Sequence, residues 1–439
     1  MKADIVITGL GTLGPHGLGP EALAGGLSQG RPALSPVDLA PGFHRVGSAR
    51  LAGRIDPLAL KPWLDPHKAR RLSSPSRMAV VAARMALEDA GLQRAELAGR
   101  DVAVCLGTAF GPNEFTVKLL DQARETGPES ASPFLFMESV ANAHAAQVAL
   151  DSQLRGANAT IVHREASALL AVAQGLAYLE AEGCELALVG CVDEITPLIH
   201  AMLDRFDALS CGGAFGECGR AFDADRDGLV ACEGATVLVL EREERARARG
   251  APIRARISAT IRANDPSATA SNWGDGHAHL AEALRRGLRR SGIERERIDR
   301  IVSGASGSRR GDRLEGLHLR EVFGGGDLPP ILAPKACTGE YGGGFLAAAV
   351  LSLSPLDFGP TPGFESVDPE LGIRPHDGRP LPDARCVLVS AFLNEGVRQQ
   401  ARHLCVDHIL EKPVDVGALR GVLAGLLPTE GGRTVGQAG

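Results

Sequence analysis

The chain has 439 residues, 44% hydrophobic and 23% charged, a length and balance that suit one large core or two intimate ones and exclude a fibrous or disordered chain. Lys and Arg number 47 against 53 Asp and Glu, so the formal charge of -6 leaves no basic footprint for nucleic acid. No apolar run reaches the length of a membrane span, and MKADIVITGLGTLG starts on a β-branched run and a glycine turn, without the charged and apolar regions of a signal peptide; the expected location is the cytoplasm.

In chain order, residues 4–8 (DIVIT) predict a buried strand ended by Gly9 and Gly11, and EALAGGLSQG after Pro20 predicts a short helix. RMAVVAARMALEDAG (77–91) has apolar residues at helical spacing and closes on glycine, and DVAVCLGT is another buried strand. NATIVHREASALLAVAQGLAYLEAEG reads as a short strand, a turn and a long helix, followed by the strands ELALVGCVDE and EGATVLVLE. The Arg-rich helical stretch EREERARARGAP then marks a seam. A second series follows: RARISATIRAN as strand, HLAEALRRGLRRSG as helix, IDRIVSGASG as strand and turn, GFLAAAVLSL as helix and RCVLVSAF as strand. Two successive βα series of similar size imply a duplicated α/β architecture, with halves over 1–250 and 251–397 and a divergent, partly disordered tail over 398–439. In that tail, ILEKPVDVGALRGVL reads as an amphipathic helix and GGRTVGQAG as disorder.

The cysteines are odd in number, scattered and mostly inside apolar runs, as expected of small buried residues in a reducing compartment. The nearest candidate metal pair, Cys211 and Cys218, lacks a second pair or a histidine, so neither metal nor cofactor is expected.

Read together, VITGLGTLGPHG, RMAVVAARMALEDAGL, GRAFDADRDGLVACEGATVLVLERE, GDRLEG and KACTGEYGGG resemble the β-ketoacyl synthase branch of the thiolase superfamily over about residues 3–396. The central block is the most specific: Phe222, Asp223, Arg226, Asp227, Gly228, Glu233 and Gly234 match the family's PFDxxRDGFVxGEGA-like stretch. The resemblance implies a thiolase-like fold with duplicated βαβαβαββ halves in α-β-α-β-α layers.

Family chemistry uses a cysteine at a strand-to-helix elbow, where the helix N-terminus lowers its pKa, and two histidines that drive malonyl decarboxylation. Here Glu165 stands at the cysteine position in TIVHREASALL, Gly304 at the first histidine in VSGASGSRRGD, and Glu340 at the second in KACTGE, where Lys335 and Gly339 are kept. A carboxylate is a poor acceptor from a thioester, because the mixed anhydride lies above it in energy. Changes at all three positions beside a preserved scaffold imply a retired active site. His163, two residues before Glu165, offers an acid–base pairing or a packed imidazole, and Arg164 with Glu165 a surface ion pair. Glu165 and Glu340 should approach each other in one pocket, solvated or compensated by arginine, with a shared proton if both are buried. The YGGGF segment lacks the features of a phosphate loop, and in the closing loop SAFLNEGVR Phe392 and Gly396 fit the family while Asn394 and Glu395 depart from it.

The chain most resembles a chain length factor, the non-catalytic partner of the ketosynthase in a type II polyketide synthase; this implies a ketosynthase subunit and an acyl carrier protein as partners. NEFTVKLL (113–120) matches a run whose bulky residues close the acyl tunnel, placing Asn113, Thr116 and Leu120 on one helical face. The alternative makes Leu120 helix core and Asn113 a cap. Phe134, Leu135 and Met137 fall where the family places residues near the partner's pocket. Two other functions stay open: a malonyl decarboxylase for priming, and a homodimeric pseudoenzyme that binds an acyl group or carrier protein.

Overall fold

In the computed structural model, residues 4–389 are described apart from 31, 40–43, 46–48, 214–215, 270–272, 325–327, 342, 355–365 and 376–385. The expectations for Phe392, Asn394, Glu395, Gly396 and the tail lie outside the described residues. The main strands are β1 (Ile5–Gly14), β2 (Val102–Thr108), β3 (Asn158–Val162), β4 (Leu186–Asp193), β5 (Gly234–Arg242), β6 (Ala255–Ile257), β7 (Arg300–Ser303), β8 (Ile331–Leu332) and β9 (Cys386–Val389). The helices that position the site are α1 (Pro20–Gln29), α2 (Ser74–Asp89), α3 (Asn113–Thr126), α4 (Pro133–Ser139), α5 (Ala143–Asp151), α6 (Ser167–Glu180), α7 (Pro197–Arg205), α8 (Glu243–Ala248), α9 (His277–Arg290), α10 (Arg309–Phe323), α11 (Lys335–Thr338) and α12 (Gly344–Leu351).

The first sheet runs β3-β2-β4-β5-β1, parallel among β3, β2 and β4 and antiparallel at β5 and β1. The second places β8, β7 and β9 side by side, all parallel, repeating the serial order of the first sheet's parallel strands. Alternation along the strands divides the core. Ala103, Cys105, Ala187 and Val189 face α6 and α12, whereas Val102, Val104, Leu186 and Leu188 face α2. Val302 and Leu332 close the central helical layer from the second sheet, and Ile301 and Ile331 turn outward to α9 and α10. Five layers, α-β-α-β-α, result. Every residue of α12 is buried, as its all-apolar sequence requires of a helix between two sheets. None of the described helices is long and apolar enough to cross a membrane.

Two expectations need correction. Gly9 and Gly11 do not end the first strand; β1 continues to Gly14. Their role is clearance, because a Cβ on Gly9 would come within 2.1 Å of the Ala86 carbonyl oxygen and one on Gly11 within 1.9 Å of that of Ala82, so α2 rests directly on the strand backbone. The strand expected over RARISATIRAN shrinks to Ala255–Ile257, since β1 supplies hydrogen-bonding partners only for those three residues.

Glycine clearance yields a paired prediction. Gly11→Ala should cost about 3 kcal/mol or more, because backbone rather than a movable side chain blocks the methyl group. Gly25→Ala in α1, where a Cβ meets nothing within 4 Å, should leave stability unchanged or raise it by up to about 1 kcal/mol. Urea denaturation of the two variants checks both.

Candidate functional site: the elbow and its buried lysine

β3 passes into α6 through a single 3-10 turn, Arg164–Ala166. Arg164 has φ +49, a left-handed conformation that a long side chain adopts only when its surroundings impose it. Ser167 fixes the turn: its hydroxyl accepts the His163 N–H at 2.8 Å and donates to the Thr108 carbonyl at 3.0 Å. Gly107 permits this contact, since a Cβ there would lie 2.6 Å from the Ser167 carbonyl carbon. Glu165 is half-buried just before α6, where the positive end of the helix favours a carboxylate. Arg164 is exposed, whereas the charge of Glu165 acts inward on Lys335 and Glu340. His163 Nε2 is buried and hydrogen-bonds to no described group, Glu165 included, so the structure does not form the acid–base pair through that atom.

Lys335, the first residue of α11, is almost completely buried. Its Nζ donates to Glu340 Oε1 at 2.5 Å and sits 5.1 Å from the centre of the Phe345 ring. Burial opposes its charge, but the carboxylates of Glu340, Glu165 and Glu315 outweigh burial and hold the ammonium above its ordinary pKa. Burial pushes the Glu340 carboxyl up to about 7; Lys335 opposes that shift and Glu165 adds to it. The two glutamates therefore do act on one another, and among the described residues the cation bonded to Glu340 is Lys335, not an arginine.

At the third changed position the side chain is absent and its backbone donor is occupied. Glu315 Oε1 on α10 accepts the Gly304 N–H at 3.2 Å and the Ser303 hydroxyl at 2.7 Å, while burial lifts its pKa to about 7. One turn earlier on α10, Asp312 accepts the N–H groups of Ser306 at 3.1 Å and Gly307 at 3.0 Å and reaches across to Phe222 N–H at 3.0 Å. Glu165, Glu340 and the Gly304 backbone thus converge, through Glu315, on Lys335. The 222–234 block supports them: Arg226 bonds the Asp223 carbonyl, Asp368 and the Arg309 carbonyl, and Glu233 accepts Ile55 N–H and Ile195 N–H. Gly339, at φ +69, packs where a Cβ would be 2.0 Å from Cys232 Sγ, which lets the backbone of Glu340 pair with Val230 and Cys232.

The tunnel candidates lie elsewhere, on α3 and α4. Leu120 is 62% exposed, which removes it from this chain's own core. Asn113 does not cap α3; its side-chain N–H group donates to the carbonyls of Phe110 and Gly111, and Pro112 occupies the cap position. Thr116 hydroxyl bonds the Pro112 carbonyl and Ser139 carbonyl, joining α3 to the end of α4. Phe134 and Met137 are exposed and Leu135 half-buried. Leu120, Phe136 and Val162 are exposed as well, and β3, which ends on Val162, is the last strand of its sheet among the described residues. Five of the described cysteines are buried, but Cys211 is exposed on a loop whose backbone is held by Asp227. No cluster of three or more His, Cys, Asp or Glu side chains suited to a metal occurs among the described residues.

Comparison with known proteins identifies the lineage of this site. The model of the beta-ketoacyl synthase N-terminal domain matches residues 2–246, more than half of the chain. The chain belongs to the β-ketoacyl synthase family. A Streptomyces cyaneus protein assigned as a polyketide beta-ketoacyl synthase 1 is 30% identical over 396 residues, covering 87% of this chain and 93% of that protein. The 3-oxoacyl-[acyl-carrier-protein] synthase 2 of Mycobacterium tuberculosis is 30% identical over 321 residues, 71% of this chain and 76% of that one. Among solved structures, the ishigamide ketosynthase/chain length factor superposes with a TM-score of 0.77 at 27% identity, over 90% of this chain and 97% of that chain. A beta-ketoacyl synthase from Burkholderia phymatum gives 0.74 at 26%, over 87% and 94%. The five layers are the thiolase-like ketosynthase fold.

Two participants at this ketosynthase-type site, Lys335 and Glu315, were visible in sequence only as members of KACTGE and GDRLEG; their meeting depends on the α10–β7 packing that no local pattern reveals. Their burial has a pH consequence. Glu340, Glu315 and Glu194 are raised to about 7 by burial, and His144 and His318 are lowered to about 4 by burial. The raised carboxyls contribute stability that is complete below their unfolded pKa of about 4.3 and lost as pH rises through the folded value. The histidines contribute above about 6.5, and that share is lost as pH falls. From pH 6.5 to 8 the loss from the three carboxyls outweighs the last part of the gain from the two histidines, so stability should decline across that interval. Glu315→Gln should decline less than the parent, as measured by the urea midpoint at both pH values.

Proposed function

We propose that this chain is a non-catalytic chain length factor that pairs with a catalytic ketosynthase and shapes the tunnel in which a polyketide chain grows, with an acyl carrier protein delivering the acyl groups. The observation that carries the reading is the elbow: the position at which the family accepts the acyl group holds a carboxylate whose charge acts on a buried lysine–glutamate pair. Condensation must then occur on another subunit.

The exposed face supports a partner. β3 pairs with β2 on one side only among the described residues, and Val162 at its end, Leu120 on α3 and Phe136 on α4 are exposed. A strand edge and exposed large apolar side chains are each features that folded proteins cover. A ketosynthase with the same open edge fits this edge, and the similarity to a solved ketosynthase/chain length factor favours such a pair over two copies of this chain.

Coexpression with a cognate ketosynthase should yield a stoichiometric complex burying well over ~2,000 Å². Val162→Asp should weaken it by roughly a hundredfold or more, because an ionised carboxylate would be enclosed without a partner; analytical ultracentrifugation measures this. Homodimers that ignore the ketosynthase would overturn the assignment.

Leu120 tests the length-setting role. Because it is exposed in this chain, Leu120→Phe should leave the complex's melting temperature unchanged while the added ring shortens the tunnel. Mass spectrometry of the reconstituted products should then show shorter chains; products of unchanged length would remove Leu120 from the tunnel.

A further inference from the structure

The donors gathered beneath the elbow are already engaged by the protein's own carboxylates. Lys335 Nζ is bound to Glu340 at 2.5 Å, Gly304 N–H and the Ser303 hydroxyl go to Glu315, and the N–H groups of Ser306 and Gly307 go to Asp312. Glu315, Asp312 and Lys335 are each almost fully buried, so water screens these charges weakly. Glu165 adds a further carboxylate on the open side, acting on Lys335 and Glu340. Against one ammonium stand the carboxylates of Glu340, Glu165 and Glu315, and each interacts with it.

An entering malonyl group brings its own carboxylate. To be bound, and then to lose carbon dioxide, it needs donors for that carboxylate and for the enolate oxygen left behind. Here the Gly304, Ser306 and Gly307 N–H groups already serve the protein's own carboxylates and Lys335 is bound to Glu340, and the carboxylates it would meet have its own sign of charge. An acyl group ending in a ketone or alkyl chain carries no such charge and meets no comparable repulsion.

We propose that the remodelled pocket is charge-selective: it admits neutral acyl ends and rejects acyl groups that carry a carboxylate, so the chain takes no part in decarboxylating malonyl units. This rests on the reading of the chain as an acyl-binding partner subunit and adds a specificity to it. It also separates the chain from a priming decarboxylase, which would have to bind malonyl to act.

The probes are malonyl-pantetheine and acetoacetyl-pantetheine, which share the thioester arm and differ in ending on a carboxylate or a methyl ketone. Their binding to the purified full-length chain is followed by ligand-observed NMR at pH 8 and pH 6. At pH 8 acetoacetyl-pantetheine should bind roughly tenfold or more tightly than malonyl-pantetheine, and the gap should narrow at pH 6 as Glu340 and Glu315 take up protons. Glu340→Gln, which keeps an acceptor for Lys335, should raise malonyl affinity roughly tenfold and leave acetoacetyl affinity unchanged. Glu165→Gln, on the half-buried elbow, should act in the same direction and serves if the first variant does not fold. Equal or tighter binding of malonyl, release of carbon dioxide from it, failure of either probe to bind, or no gain in both folded variants would each overturn the proposal. Complex formation with a ketosynthase is scored separately: a chain that forms no complex but selects neutral acyl ends would defeat the functional reading and leave the selectivity standing.

Discussion

A lysine buried at the head of α11 organises the heart of this molecule. An ammonium removed from water must be compensated, and the surrounding structure supplies Glu340 in direct contact, with Glu165 and Glu315 adding their fields. Those residues come from the elbow before α6, from α10 and from the loop after α11. Holding them around one cation therefore fixes the central helical layer against both sheets. Removing a single carboxylate would disturb the charge balance, while removing the lysine would leave acidic groups buried with little to pair them.

The scaffold around this cluster is built from close backbone approach. Gly9 and Gly11 let α2 lie on β1, Gly107 lets the first turn of α6 lie on β2, and Gly339 lets the 340 backbone join the 230–232 segment. Each contact would place a Cβ at a distance no folded structure tolerates. The left-handed Arg164 belongs to the same design, as the residue where the chain reverses from strand to helix over a fixed floor. The elbow is thus held by its floor, with Glu165 at its tip.

Much of this was legible in the amino-acid sequence, for identifiable reasons. Buried strands such as DVAVCLGT and ELALVGCVDE, and the helix over 77–91, are dictated by local periodicity, and the structure forms them as β2, β4 and α2. The family was legible through similarity, because the central block is a fixed local motif. What depends on packing was not legible. A glycine pair inside β1 looks like a turn until a helix is seen to press on it, and the 254–264 segment looks like a full strand until only three of its residues find a partner. The compensation of Glu340 by Lys335 joins residues five apart, yet its extension to Glu315 and Gly304 needs the tertiary fold. Likewise, nothing in NEFTVKLL distinguishes an exposed leucine from a core one.

The edge of β3, paired on one side only among the described residues, also bears on how such a protein is made. A strand that ends a sheet with one row of backbone donors and acceptors unmatched will accept whichever extended chain reaches it first. During synthesis the nearest candidates are nascent copies of the same polypeptide, unless a different subunit is translated close by. Faithful assembly then becomes a race set by local concentration and timing, in which early covering of that edge protects the chain from aggregating with itself.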